Sequence, residues 1–353
     1  MSLDHYVTLG RSGLRVSPFC LGAMTFGEDL GWGSSVADSQ ALLDAFIERG
    51  GNFIDTANLY TKGHSEKIIG DHVGHDPSKR NRLVIATKFS GNHYPGDPNG
   101  GGSSRKSIIA ACEQSLRRLQ TDYIDLYWLH NWDKHTPIEE TMHALHDLVQ
   151  AGKVRYIGVS DTPAWKTTQA QMLAQFRGWS PFIGLQVEYS LLERTVEGEL
   201  IPMGMELGMG VTPWSPLRGG VLSGKYTRAN ANEPGVSQRA WNANYLNEKT
   251  FLLLDELATV ARVALSWVQN RPGVSSTIIG ARTLHHLTDN LAALEVHLTP
   301  EQSAKLDALT TPTLNFPAPF LSMVSSIQNG GTRVNGEPST LSPWGVTKKG
   351  DHY

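Results

Sequence analysis

The sequence predicts an α/β protein built as a (β/α)8 barrel, with a β-hairpin ahead of it and a tail behind. Three observations lead there. Strand-like apolar runs alternate with amphipathic helical stretches eight times along the 353 residues, a length that suits one such barrel. The strand runs, such as Leu83-Val84-Ile85-Ala86-Thr87, are continuous, as parallel strands covered on both faces are. The G-x-G-x-x-G run expected after an early strand of a doubly wound dinucleotide fold does not occur.

The elements follow in order. Tyr6 to Gly10 and Leu14 to Val16, joined by Arg11-Ser12-Gly13, read as a hairpin. Phe19 to Ala23 is the first barrel strand, and Val36 to Arg49 a helix with Leu42, Leu43 and Phe46 on one face. Phe53 to Thr56 is the second strand, followed by a helix from Ser65 to Val73. Leu83 to Lys88 is the third, with a helix from Arg105 to Leu119, and Tyr123 to Leu129 the fourth. The next helix, Pro137 to Ala151, opens on a proline suited to a first turn and stops at Gly152. Strands at Tyr156–Ser160, Phe182–Val187 and Gly210–Trp214 alternate with helices at Trp165–Phe176 and Glu199–Leu207. A single helix from Leu252 to Val268, a strand Ser276–Ile279 and a helix Leu284–Leu294 complete the pattern.

One barrel domain is therefore expected over residues 1–311, and residues 312–353 are expected to be a C-terminal tail, with a lid over the barrel mouth, an oligomer arm and a mobile segment as its alternatives. Residues 218–250 have little periodicity and much Gly, Asn and Arg, and long loops of that kind are commonly functional.

Bulk composition excludes several classes. With 40% hydrophobic and 18% charged residues the chain is globular rather than disordered or fibrous. A net charge of −3 provides no basic field for nucleic acid or anionic membranes. Cys20 and Cys112 form no C-x-x-C and no metal-ligand spacing, which fits a reducing compartment and no metal. The amino terminus lacks the basic and apolar regions of a signal peptide, and no apolar run is long enough to span a bilayer. A cytoplasmic protein without membrane insertion is expected, with its oligomeric state open.

Barrel chemistry resides at the C-terminal ends of the strands. The polar residues there are Asp55 after the second strand, Lys88 after the third, His130 after the fourth, and Ser160 and Asp161 after the fifth. Gln186 lies in the sixth strand, Trp214 and Ser215 close the seventh, and Tyr60 stands in the second βα loop. Singly, each has an ordinary explanation as a cap, a snorkelling cation or a core imidazole. Together they form an acid–base set. A cation beside a phenol favours its ionised form, so Lys88, held by Asp55, would activate Tyr60. The set can deliver a proton to an oxygen gaining charge, as in carbonyl reduction. No side chain supplies a hydride, so a cofactor must.

The segment Trp214-Ser215-Pro216-Leu217-Arg218-Gly219-Gly220 is a Gly-rich loop able to approach a pyrophosphate with backbone N–H groups. Gly219 to Lys225 nearly satisfies the phosphate loop of NTPases, but Tyr226 replaces the required hydroxyl residue. Gly280-Ala281-Arg282 follows the eighth strand and precedes a helix, a usual phosphate position in barrels. Arg282 is suited to a 2′-phosphate, favouring NADPH over NADH.

These segments resemble the aldo-keto reductase superfamily. The resembling motifs are Leu21 to Gly27 (with Met24), Phe53 to Tyr60, Ile85 to Lys88, Asp125 to His130, Gly152 to Ser160, and Leu185 to Tyr189. The resemblance runs from about residue 7 to residue 310. It implies NADP(H) as cofactor, an aldehyde or ketone as substrate, and Tyr60 as proton donor. Lys88 and Asp55 would lower the Tyr60 pKa, and His130 would orient the carbonyl. It further implies that Met24, Asp55, Ser160, Asp161 and Gln186 lie around the nicotinamide end. Trp214, Ser215, Pro216, Leu217, Gly219 and Lys225 would hold the pyrophosphate. Gly280, Arg282, His286, Asp289 and Asn290 would surround the adenosine and its phosphate.

Asp161 stands where the family commonly has Asn, and His286 where it usually has Gln. The stretch Phe251 to Val268 is shorter than the family's two-helix segment. Trp32, Trp132 and Trp241 are expected as apolar walls of the substrate pocket. Two competing readings accompany the reductase: an NADPH-binding regulatory subunit of the channel β-subunit type, and an aldolase using Lys88 as a Schiff base.

Overall fold

The computed structural model describes residues 2–230, 245–257 and 260–342. Eight parallel strands form a barrel: β3 (Phe19–Gly22), β4 (Phe53–Asp55), β5 (Val84–Phe89), β6 (Ile124–Leu129), β7 (Val154–Ser160), β8 (Phe182–Glu188), β9 (Gly210–Trp214) and β10 (Thr277–Gly280). The last strand pairs with the first, Thr277 opposite Phe19 and Gly280 opposite Gly22. The β9–β10 seam is joined by the parallel bridge Val211–Val274, so the barrel is nearly closed. The predicted hairpin is present as β1 (Val7–Thr8) and β2 (Arg15–Val16).

Between the strands run α1 (Val36–Glu48), α2 (His64–Ile69), the short α3 (Pro77–Arg80), α4 (Arg105–Leu119), α5 (Ile138–Gln150), α6 (Ala164–Arg177) and α7 (Leu200–Glu206). Side chains begin several of them: Ser35 accepts from the Asp38 amide, and Ser104 from that of Ser107, meeting donors that a helix start leaves unpaired. Pro137 sits just ahead of α5 rather than inside its first turn.

The C-terminal third corrects three expectations. The helix expected over Leu252–Val268 is two helices, α8 (Glu248–Glu256) and α9 (Val260–Gln269). Leu257, which caps α8, is extended with φ −98° and ψ 104°, so the helical ladder ends there although the apolar pattern continues. After α10 (Leu284–Leu291) comes an unforeseen helix, α11 (Pro300–Leu309). Its signal was legible: Thr299 and Gln302 form a reciprocal capping box, with proline in the first turn. The proline-rich tail also holds a twelve-residue helix, α12 (Ala318–Asn329), and a small hairpin of β11 (Arg333–Val334) and β12 (Glu337–Pro338).

Strand periodicity divides the core in two. One face of each strand packs beneath the helices, with Ile54, Ile85, Tyr127, Leu129, Ile157 and Val159 in one large cluster. The alternate residues, Cys20, Phe53, Val84, Ala86, Leu126 and Trp128, fill the barrel together with Leu9 and Val16 of the hairpin, which closes its lower end. Trp128 is fully buried, and its bulk is accommodated by glycines on the next two strands. A Cβ at Gly158 would stand 2.3 Å from the indole, and one at Gly184 2.7 Å. Gly158→Ala should therefore destabilise the barrel by about 3 kcal/mol through overpacking. Gly158→Ala combined with Trp128→Phe should recover much of that loss in urea unfolding. An unchanged midpoint for the single variant would refute this account of the barrel interior.

Candidate active site

The period that fills the barrel also builds the site. Asp55 shares the inward face of β4 with Phe53, Lys88 that of β5 with Val84 and Ala86, and His130 follows Leu126 and Trp128 along β6. All three thus reach the top of the interior core. Tyr60 arrives from the loop after β4, held by a set of hydrogen bonds. The Thr56 and Asn58 amides donate to Ala86 O (2.9 Å) and Lys88 O (3.0 Å). Ser65 Oγ donates to Ala23 O (2.7 Å), and Thr61 Oγ1 to Phe26 O (2.8 Å). Thr61 and Lys62 take positive φ values of 45° and 59°, strain at a site fastened on both sides.

Within this frame Lys88 is fully buried. Its ammonium donates to Asp55 Oδ1, to Thr56 O (2.9 Å) and to Tyr60 Oη (3.1 Å). The second Asp55 oxygen accepts from Gln186 Nε2 at 3.1 Å. The His130 ring meets that of Tyr60 edge-on, with centroids 5.9 Å apart. Its Nδ1 is buried and has no hydrogen-bond partner among the described residues.

The electrostatics refine the expectation from the sequence. Burial works against the Lys88 ammonium, but Asp55 and Tyr60 outweigh it and raise its pKa, so the amine is protonated. A Schiff-base nucleophile needs the opposite, a neutral amine. Burial also raises the Tyr60 phenol above its ordinary value; Lys88 pulls it down, and Asp55 pushes it up. Asp55 therefore acts on the phenol by holding Lys88, not by lowering the pKa itself. Burial and then Lys88 depress the His130 pKa to about 3, leaving a neutral imidazole.

Four strand ends and loops surround this set. Ser160 is buried at the end of β7. Asp161 has φ 42°, and Trp214 Nε1 donates to its Oδ1 at 3.1 Å. Burial raises its carboxyl pKa, and the Trp214 hydrogen bond works against that rise. Gln186 is committed to Asp55, an engagement that its place in β8 did not disclose.

After β9 the chain turns sharply. Ser215 (φ 52°) accepts from the Gly219 amide at 3.0 Å, and Gly219 and Gly220 have φ values of 60° and 96°. Pro216 is buried, Leu217 half-buried, and Lys225 exposed with its ammonium 4.7 Å from the Tyr226 ring. Arg218, inside the stretch read as the pyrophosphate loop, ties this loop to Glu188 at the end of β8 and to Tyr245.

At the eighth position Gly280 faces open space, and its carbonyl accepts from Asn290 Nδ2 at 3.0 Å. Arg282 is exposed just ahead of α10, and its guanidinium forms no ion pair among the described residues. Thr283 caps that helix by accepting from the His286 amide at 3.2 Å. Burial, with Arg282 next, lowers the His286 pKa. Asp289 pairs with Arg262 (2.7 Å), so its carboxylate serves that ion pair rather than standing free. The donors present, cations at Lys225 and Arg282 that form no ion pair among the described residues and a backbone turn with left-handed residues, fit an extended anionic cofactor.

Met24 (40% exposed), Leu30 (48%) and Leu59 (42%) lie on loops at the mouth. Trp132 packs edge-on against Trp165, centroids 5.6 Å apart. Trp32 is half-buried in the loop after β3, and Trp241 lies outside the described residues. The two thiols are buried, and burial raises their pKa values, Cys112 up to about 12.

The fold and site are thus a parallel (β/α)8 barrel with a lysine–aspartate pair beneath a phenol at its C-terminal mouth. The chain belongs to the aldo/keto reductase family, whose model matches residues 18–311. It is similar to an uncharacterized oxidoreductase of Bacillus subtilis, 39% identical over 84% of this chain and 93% of the relative. It is similar also to the aryl-alcohol dehydrogenase [NADP(+)] of Phanerodontia chrysosporium, 36% identical over 86% and 85% of the two chains. The norsolorinic acid reductase of Aspergillus flavus is 35% identical over 90% and 84%. The protein is a carbonyl/alcohol oxidoreductase. No helix among the described residues is long and apolar enough to cross a membrane.

Proposed function

We propose that the protein reduces aldehydes and ketones, aryl carbonyls foremost, with NADPH as the reductant and Tyr60 as general acid. The observation that carries this reading is the 3.1 Å hydrogen bond from Lys88 Nζ to Tyr60 Oη, with Asp55 holding the lysine from below. NADPH, when bound, supplies the hydride that reaches the carbonyl carbon. Tyr60 gives its proton to the carbonyl oxygen, and the adjacent ammonium stabilises the phenolate that remains. His130, neutral and beside the Tyr60 ring, directs the carbonyl oxygen toward the phenol. Ser160, Asp161 and Gln186 face the nicotinamide end; Trp214 to Gly219 and Lys225 cradle the pyrophosphate. Arg282 meets the 2′-phosphate, and Gly280, His286 and Asn290 line the adenosine end.

The apolar loops with Met24, Leu30 and Leu59 and the Trp132–Trp165 pair suit a substrate with an aromatic body. The relatives' names agree, an aryl-alcohol dehydrogenase among them. The test is NADPH oxidation followed by absorbance over a panel of aryl and alkyl aldehydes and ketones. Aryl substrates should give the higher kcat/KM. Arg282→Ala should raise the NADPH Kd by about tenfold, as loss of a charge-assisted contact does, and leave the NADH Kd unchanged. Tight NADPH binding without turnover of any carbonyl would instead favour the regulatory-subunit reading. Equal weakening for both nucleotides would remove Arg282 from the 2′-phosphate.

A further inference from the structure

On the outer flank a cleft of about 400 Å³ opens between α2 and α4, lined by Lys67, Tyr94, Gln114, Arg117, Arg118 and Gln120. Close helix packing creates it. A Cβ at Gly70, just past α2, would stand 2.1 Å from Arg118 O, so glycine lets the two helices approach and brings Lys67 beside the basic end of α4.

Three cations meet there, and their acids are only partly able to satisfy them. Lys67 pairs with Asp71 at 2.8 Å, and Gln120 donates to the same carboxylate. Arg118 Nε donates to Glu66 Oε2 at 2.6 Å, while the other Glu66 oxygen accepts from Thr87. That buried carboxylate holds the guanidinium through Nε alone. Arg118 Nη2 is buried with no hydrogen-bond partner, and Arg117 pairs with no acid, among the described residues.

A second recess of about 210 Å³ adjoins the first, and the two share Tyr94 and Gln114. The Gln114 amide donates to Tyr94 Oη at 3.0 Å, so the two shared side chains are joined to each other. Asn58, Ser90 and His93 line this recess, and Asn58 Oδ1, Ser90 Oγ and His93 Nε2 are buried without partners among the described residues. Buried polar atoms in native proteins are nearly always paired, so such a group gathered around one recess marks a place for polar ligand atoms. Basic residues in a last helical turn complement the helix dipole, which accounts for Arg117 and Arg118 being basic. It does not account for the unpaired Nη2 or for the adjoining polar recess.

We propose that this flank is a second ligand site, for a small hydroxylated metabolite bearing an oxyanion, phosphate or carboxylate. The oxyanion lies against Arg117, Arg118 and Lys67, and the hydroxyl groups reach past Tyr94 toward Asn58, Ser90 and His93. Guanidinium pairs suit such anions because their donors match two oxygens at once.

The full chain can be titrated calorimetrically with inorganic phosphate and, in parallel, citrate. Saturable binding of at least one is expected, weakened about tenfold by Arg117→Ala, the loss of one charged partner. Repeated in Arg282→Ala, which removes the anion contact assigned to α10, the titration should still show this binding and its weakening by Arg117→Ala. The tighter of the two anions identifies the oxyanion chemistry. Arg117 is exposed, so its replacement leaves the packing of α4 intact. Binding lost in Arg282→Ala but retained in Arg117→Ala would place the anion beside α10 and overturn the proposal. Absence of saturable binding would overturn it as well. Neither measurement uses NADPH or turnover, so the outcome is independent of the reductase reading.

Discussion

Tyr60→Phe should lower kcat for carbonyl reduction by about 10²–10⁴-fold, the range that a positioned general acid contributes. The substitution removes one oxygen and leaves the ring beside His130, so the fold and the KM for NADPH should change little. The pH profile gives the expectation its second part. Burial holds the phenol pKa above its ordinary value, so the donor keeps its proton through neutral and mildly alkaline pH. His130, with its pKa depressed to about 3, does not titrate in that range either. The wild-type reduction rate should therefore be flat from about pH 5 to pH 9 and fall only above it, as the phenol ionises. A wild-type rate that falls below pH 6.5, as His130 protonates, would contradict the neutral imidazole. A Tyr60→Phe variant as fast as the wild type would end the general-acid assignment.

Lys88→Met should cost about 3–5 kcal/mol of stability as well as activity. The reason is the carboxylate it leaves behind. Asp55 is only 2% exposed, and its remaining side-chain partner among the described residues is the Gln186 amide. A buried charge stripped of its counter-ion is strongly destabilising, whereas replacing both members by apolar side chains of similar volume is often neutral. Lys88→Met with Asp55→Leu should therefore regain most of the denaturation midpoint while reduction stays lost. If the double variant is as unstable as the single one, the cost lies in packing rather than in the abandoned charge. If Lys88→Met keeps wild-type turnover, the lysine has no part in the chemistry.

Much of this protein was readable before folding because barrels repeat a simple rule. Each buried strand is a short apolar run, and the polar residue ending it, Asp55, Lys88 or His130, interrupts that run at the mouth. Where the pattern is local the elements fall within a residue or two of expectation, as in α4. The misses have local causes too. Leu252 to Val268 keeps an apolar rhythm across Leu257, where the backbone turns extended, and periodicity cannot register one residue's ψ. The helix α11 went unread because its hydrophobic face is narrow, with Leu306 its one buried residue, although its capping box was in plain view.

The amino-acid sequence alone determined the barrel, its order of strands, and which side chains stand at their ends, because alternation and run length are properties of neighbours along the chain. Only the tertiary structure decided partnership. It committed Gln186 to Asp55 and Asp289 to Arg262, and it made Asp55 a holder of Lys88 that pushes the Tyr60 pKa upward. It also brought Arg118 to Glu66 across 52 residues and left Arg117 without an acid among the described residues. Hydrogen bonds and ion pairs act over a few ångströms in space, and residues far apart in sequence come within that reach only when the barrel closes.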